Sequence, residues 1–110
     1  MFSKKEFVED TLVNNGFELE SSFGRRTSTA EISYEGYCRM MEIEPNPVAV
    51  AQNVKIIVNI DSDGDYYSEF DYESGDKDDE VEAFLDSIEA DVEKEIDLIV
   101  DDAIEYARYC

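Results

Sequence analysis

The chain predicts an α+β fold: a helix on either side of a small antiparallel sheet of 3–5 strands. Three observations carry this. Apolar residues recur at helical spacing near the N-terminus, switch to a period of two between Phe17 and Tyr72, and return to steps of 3 and 4 from about Asp79 onward.

The first helix is expected over residues 4–14. Ser3 caps it, Glu6 completes a capping box, and Phe2 with Phe7 forms a hydrophobic staple. Phe7, Val8, Thr11 and Leu12 share one face, and Asn15-Gly16 supplies the stop. In "FELESSF", Phe17, Leu19 and Phe23 alternate with acids and serines, and in "STAEISYEGY" Ala30, Ile32 and Tyr34 alternate with polar residues. Both read as half-buried strands joined by a turn at Gly24-Arg25-Arg26. Gly36 either ends the second strand or introduces a bulge, and "YCRMMEI" is expected to continue as a further strand. In "EPNPVAVAQN" two prolines break a ladder, while Asn46 as cap and Pro47 in the first turn suit a short helix.

"VKIIVNI" is the clearest strand, with Val54, Ile56, Val58 and Ile60 on one face. "YYSEFDYE" follows, with Tyr66, Ser68, Phe70 and Tyr72 directed to the core and Tyr67, Glu69, Asp71 and Glu73 to water. "SGDKDD" is a polar loop in which Asp76 or Asp78 caps the next helix. From about Asp79 to Tyr109 there is no Gly or Pro, and the apolar stripe repeats every 11 residues (Val81, Val92, Ala103; Leu85, Ile96, Ala107). That repeat lies close to the natural helical period, so this is one long helix on a sheet or a kinked pair, not a heptad coil.

At 110 residues the chain forms a single domain, residues 1–110. With 7 tyrosines, 6 phenylalanines and 43% hydrophobic residues it can close a core despite its charge. No apolar run approaches the ~18 residues of a membrane span, and "MFSKKEFVED" lacks the apolar segment of an export signal. Cys38 and Cys110 fit no zinc motif and, without an export signal, point to a reducing cytoplasm. There is no histidine, which excludes Ser-His and Cys-His nucleophiles, and no carboxylate pair is singled out by its surroundings. The chain is therefore not expected to be an enzyme or to hold a cofactor.

The formal charge is −20, from 29 acids and 9 bases. Residues 1–60 hold 9 acids and 6 bases; residues 61–110 hold 20 acids and 3 bases. So polarised a field repels nucleic acid and steers a basic partner. The acidic half opens at "VNIDSDGDYY". An EF-hand loop starting at Asn59 would place Asp61, Asp63 and Gly64 correctly, but its twelfth position is Phe70 and strands flank it where helices are required. Asp-Gly between alternating segments instead marks a hairpin turn. Further on, 13 acids lie between Asp78 and Glu105 with only Lys94 against them. Over roughly 28 residues at ~1.5 Å rise that is one carboxylate per ~3.2 Å, beside ~3.4 Å per phosphate along one strand of B-DNA. Many of these acids stand at i,i+4, a spacing at which like charges destabilise a helix. Accepting that repulsion favours a surface that presents charge over one that merely confers solubility.

The run "VKIIVNIDSDGDYYSEFDYESGDKDDEVEAFLDSI" resembles the small acidic phage-encoded anti-CRISPR inhibitors of type II-A Cas9: an apolar strand, an acidic Asp-Gly turn, a second strand, an acidic loop and a helix opening with acids. The resemblance covers about a third of the chain. It implies evasion of host defence by a DNA mimic whose hairpin carboxylates occupy the basic cleft of Cas9, with Asp63, Gly64 and Asp65 at the tip. The expected partner-binding set is Asp61, Asp63, Gly64, Asp65, Glu69, Asp71, Glu73, Asp76, Asp78 and Asp79, a protruding turn, one strand face and an adjoining loop forming one patch. The expected partner is a basic DNA-binding protein, Cas9 with guide RNA, in the cytoplasm of a bacterial host, with no direct contact to nucleic acid or membrane. Two alternatives stay open: an immunity protein or antitoxin that neutralises a basic toxin, and a calcium-binding module. An acidic domain adapted to high salt is the fourth reading. Neither the oligomeric state nor the contacting surface is read from these residues.

Overall fold

The computed structural model describes residues 4–21, 27–72 and 79–108. It has the expected α+β fold: α1 (Lys4–Asn14), β1 (Glu18–Ser21), β2 (Ser28–Ser33), α2 (Tyr34–Met41), α3 (Pro47–Ala51), β3 (Lys55–Ile60), β4 (Tyr66–Asp71) and α4 (Asp79–Arg108). The strands pair antiparallel in chain order, β1-β2-β3-β4. Ser3, Phe2, the Gly24-Arg25-Arg26 turn, Phe23 and the Ser74–Asp78 loop lie outside the described residues.

The period of two decides which face of the sheet is buried. Ala30, Ile32, Ile56, Val58 and Ile60 form one core with Val8 and Leu12 of α1 and Val81, Leu85, Val92, Ile96 and Val100 of α4. Both terminal helices therefore cover the same face. The alternate residues Glu18, Glu20, Lys55, Tyr67, Glu69 and Asp71 point the other way and are exposed. Leu19 departs from its expected half-burial. It sits opposite Ala30 but is 40% exposed, because β1 is an edge strand and has a neighbour on one side only.

Residues 34–41 are a helix where a further strand is expected. Ser33 is its cap, and its hydroxyl accepts a hydrogen bond from the Gly36 N–H at 2.9 Å. Gly36 thus lies in the first turn of α2 and forms neither a strand end nor a bulge. Tyr34, Tyr37 and Cys38 then fall on one buried face at i, i+3 and i+4, and Tyr34 meets Phe84 of α4 edge-to-face at 5.8 Å. The short helix at Pro47 forms as its sequence predicts, with the Asn46 side chain accepting from the Val48 N–H at 2.9 Å.

The C-terminal segment is one helix of 30 residues, about 45 Å long at ~1.5 Å per residue, comparable to the molecule's longest dimension of 47 Å. Among the described residues five of its side chains, Val81, Leu85, Val92, Ile96 and Val100, are buried, each worth roughly 1.5–3 kcal/mol. Against this stand the like-charge pairs Glu82/Asp86, Glu89/Glu93, Glu93/Asp97, Asp97/Asp101, Asp101/Glu105 and Asp91/Glu95, on the order of 1–3 kcal/mol together. Burial wins, and the repulsion is carried as a standing cost of displaying the acids.

Candidate protein-binding surface

The hairpin between β3 and β4 forms at the expected place, with Ile60 paired to Tyr66. Asp61 organises the turn. Its carboxylate Oδ1 accepts the N–H groups of Asp63 at 2.8 Å and Asp65 at 3.1 Å, while its carbonyl accepts from Gly64 at 3.1 Å. Gly64 has φ 88, the left-handed conformation that closes such turns.

The tip rests on α1 through Gly64, with Ser62, Asp63 and Asp65 exposed around it. Gly64 is buried against the first turn of α1, where an added Cβ would come within 2.8 Å of Lys4 Cγ and 3.0 Å of the Lys5 backbone nitrogen. Asp65 pairs with Lys4 at 3.3 Å, both side chains being largely exposed. The expected set is therefore divided. Asp61 is committed to its turn, Gly64 to packing and Asp65 to a lysine, while Asp63 is exposed at the corner.

Glu69 and Asp71 stand on the open face of the sheet, as their alternation predicts. Glu69 accepts from the Asn59 side-chain amide at 3.1 Å. Asp71 lies opposite Lys55, about 17 Å along the strand from the turn at ~3.3 Å per residue. Asp79 is the exposed first residue of α4, in the other layer. Glu73, Asp76 and Asp78 lie outside the described residues.

Two groups of acids complete the surface: one on the open face that the sequence did not single out, and one on α4 whose charge display the sequence predicts but whose place beside β4 it does not. Glu18, Glu20 and Glu31 extend the open face, since register aligns Glu18, Glu31, Ile57 and Glu69 in one row across all four strands. Their outward alternation was visible, but their alignment with Glu69 required the strand order. The second group is the flank of α4 beside β4. Glu89 lines a small cleft with Ser68, Glu69 and Phe70, and Asp97 accepts the Tyr66 hydroxyl hydrogen at 2.8 Å; Glu93 lies between them on the same i,i+4 row. Carboxylates thus wrap around β4 from the open face to the helix. Of the 12 acids on α4, 11 are exposed and Glu95 is half-buried.

The tyrosines beneath this surface hold their protons tightly. Burial, then the bond to Asp97 and the charges of Asp97 and Asp101, push the Tyr66 phenol well above its usual range. Burial, followed by the charge of Glu95, pushes Tyr37 up to about 12. Tyr34 is also raised, first by burial and then by its hydrogen bond with Cys38, and its oxygen accepts from the Asn46 N–H at 3.1 Å. Among the described residues no group of three or more His, Cys, Asp or Glu side chains is placed to hold a metal ion, and no helix is long and apolar enough to cross a membrane. Compared with known proteins, the chain matches no family model, no curated sequence and no solved structure.

Proposed function

We propose that this chain is a non-catalytic nucleic-acid mimic that blocks the DNA-binding cleft of a nuclease, with guide-loaded Cas9 as the target and the host bacterial cytoplasm as the place of action. The observation that carries the reading is α4: one uninterrupted helix with 12 acids on its two flanks, 11 of them exposed, opposed between Asp79 and Glu105 by Lys94 alone. Arginines and lysines that hold phosphates in the cleft would find carboxylates at comparable linear spacing, and bidentate Arg–carboxylate pairs would add geometric definition. The mechanism is competition. Glu69, Asp71 and the Glu89–Glu93–Asp97 row carry it together with the exposed Asp63, while Asp61 holds its turn and Asp65 pairs with Lys4.

The test is a pull-down of purified Cas9 proteins with and without guide RNA, followed by a cleavage assay. Capture that duplex DNA displaces, together with loss of cleavage, is the expected result. Failure of every Cas9 tested to bind, alongside capture of a basic toxin encoded next to this chain, would replace the reading with an immunity protein.

A further inference from the structure

The strand order leaves β4 at an edge of the sheet, and the turn fixes which of its backbone groups are unused. Asp61 N–H bonds to the Asp65 carbonyl at 2.9 Å. Hydrogen-bonded and non-hydrogen-bonded pairs alternate in an antiparallel ladder. Asn59/Tyr67, Ile57/Glu69 and Lys55/Asp71 are therefore the bonded pairs, and the N–H and C=O groups of Tyr66, Ser68 and Phe70 face outward from the sheet. No described strand pairs with them. The edge runs six residues in continuous register with no proline or bulge to close it, and the charges it carries, Glu69 and Asp71, discourage pairing with a like-charged strand.

Charge selects the occupant. A strand laid beside β4 would have one face next to Tyr67, Glu69 and Asp71 and the other toward Glu89, Glu93 and Asp97. Tyr67, 66% exposed, offers its ring to a cation beside Glu69. A second copy of this chain is rejected, because its own β4 and α4 acids would meet these between molecules of charge −20. Nucleic acid is rejected for the same reason. We propose that β4 receives an extended segment of a basic protein by strand addition, a segment with Lys or Arg on both of its faces. Main-chain hydrogen bonds to Tyr66, Ser68 and Phe70 hold it and the two acidic rows choose it. The inference rests on the reading that the partner is a basic protein, and extends that reading from charge to backbone.

The probe is a peptide of about ten residues, built from Lys, Arg, Thr and Val with cations on both strand faces. Its control carries N-methyl groups on alternate residues, so that every charge is kept and only the donors facing β4 are lost. At low salt the parent peptide should bind and protect the amides of Tyr66, Ser68 and Phe70 from exchange, and the methylated peptide should bind about tenfold or more weakly, roughly 1.4 kcal/mol. Ser68→Pro in the chain, which keeps all charges and removes one edge-facing N–H at a position where an edge strand accepts proline, should weaken the parent peptide similarly. Equal binding of the two peptides without amide protection overturns strand addition and leaves the electrostatic mimic standing. Failure of both peptides to bind, while the whole nuclease does, also overturns it.

Discussion

Gly64 serves the turn and the packing of the tip at once. Its φ of 88 suits glycine, and its missing Cβ leaves room for Lys4 and the Lys5 backbone. Gly64→Ala should therefore cost about 1–3 kcal/mol of stability in urea denaturation, and an unchanged midpoint would mean that the tip does not rest on α1. The tyrosines make a pH prediction. A phenol whose pKa is raised in the folded chain binds its proton more tightly there than in the unfolded chain. The resulting stability is complete below the unfolded value of ~10 and is lost as pH rises through the folded values. Tyr66, Tyr37 and Tyr34 all shift in this direction. Thermal stability should accordingly fall above about pH 10, with tyrosinate absorbance from these rings appearing together with unfolding. Tyrosinate signals from all three in a still-native spectrum at pH ~10 would contradict the assignment.

Among the elements, α1, β3, β4 and the acidic hairpin were legible because local signals agreed: helical spacing, strict alternation and Asp-Gly; for α3 the signals conflicted, two prolines against the Asn46 cap and Pro47. Residues 34–41 were not. The alternation of Ala30, Ile32 and Tyr34 runs on into Tyr34, which belongs to both the strand's period and the helix's stripe, and Ser33 is at once the last residue of β2 and the cap of α2. The candidate site was half legible. Alternation sends Glu69 and Asp71 outward, whereas the contact between Gly64 and Lys4 joins residues sixty apart and leaves no local trace. Likewise, that β4 is an edge with the α4 acids beside it is a fact of strand order. On α4, stability and display oppose one another. Glu93→Lys removes the Glu89/Glu93 and Glu93/Asp97 repulsions and creates two attractions, so it should raise stability at low salt by roughly 0.5–1.5 kcal/mol while weakening partner binding. A variant that gains stability and binds unchanged would remove this row from the interface.

For the whole molecule, one apolar core joins a sheet and two terminal helices, and acids cover both outer layers. At −20 the chain repels itself as well as nucleic acid, so added salt should stabilise it modestly while loosening any partner held by charge. These opposite responses separate a charge-presenting inhibitor from a domain adapted to salt, which would need salt both to fold and to act. Competition between this chain and duplex DNA for guide-loaded Cas9, measured from about 50 mM to about 500 mM salt, decides whether the acids stand in for phosphates. Binding should be mutually exclusive, with an affinity that falls by more than about tenfold over that range. Affinity that hardly changes with salt, or simultaneous binding of the chain and the duplex, would mean that the acids do not.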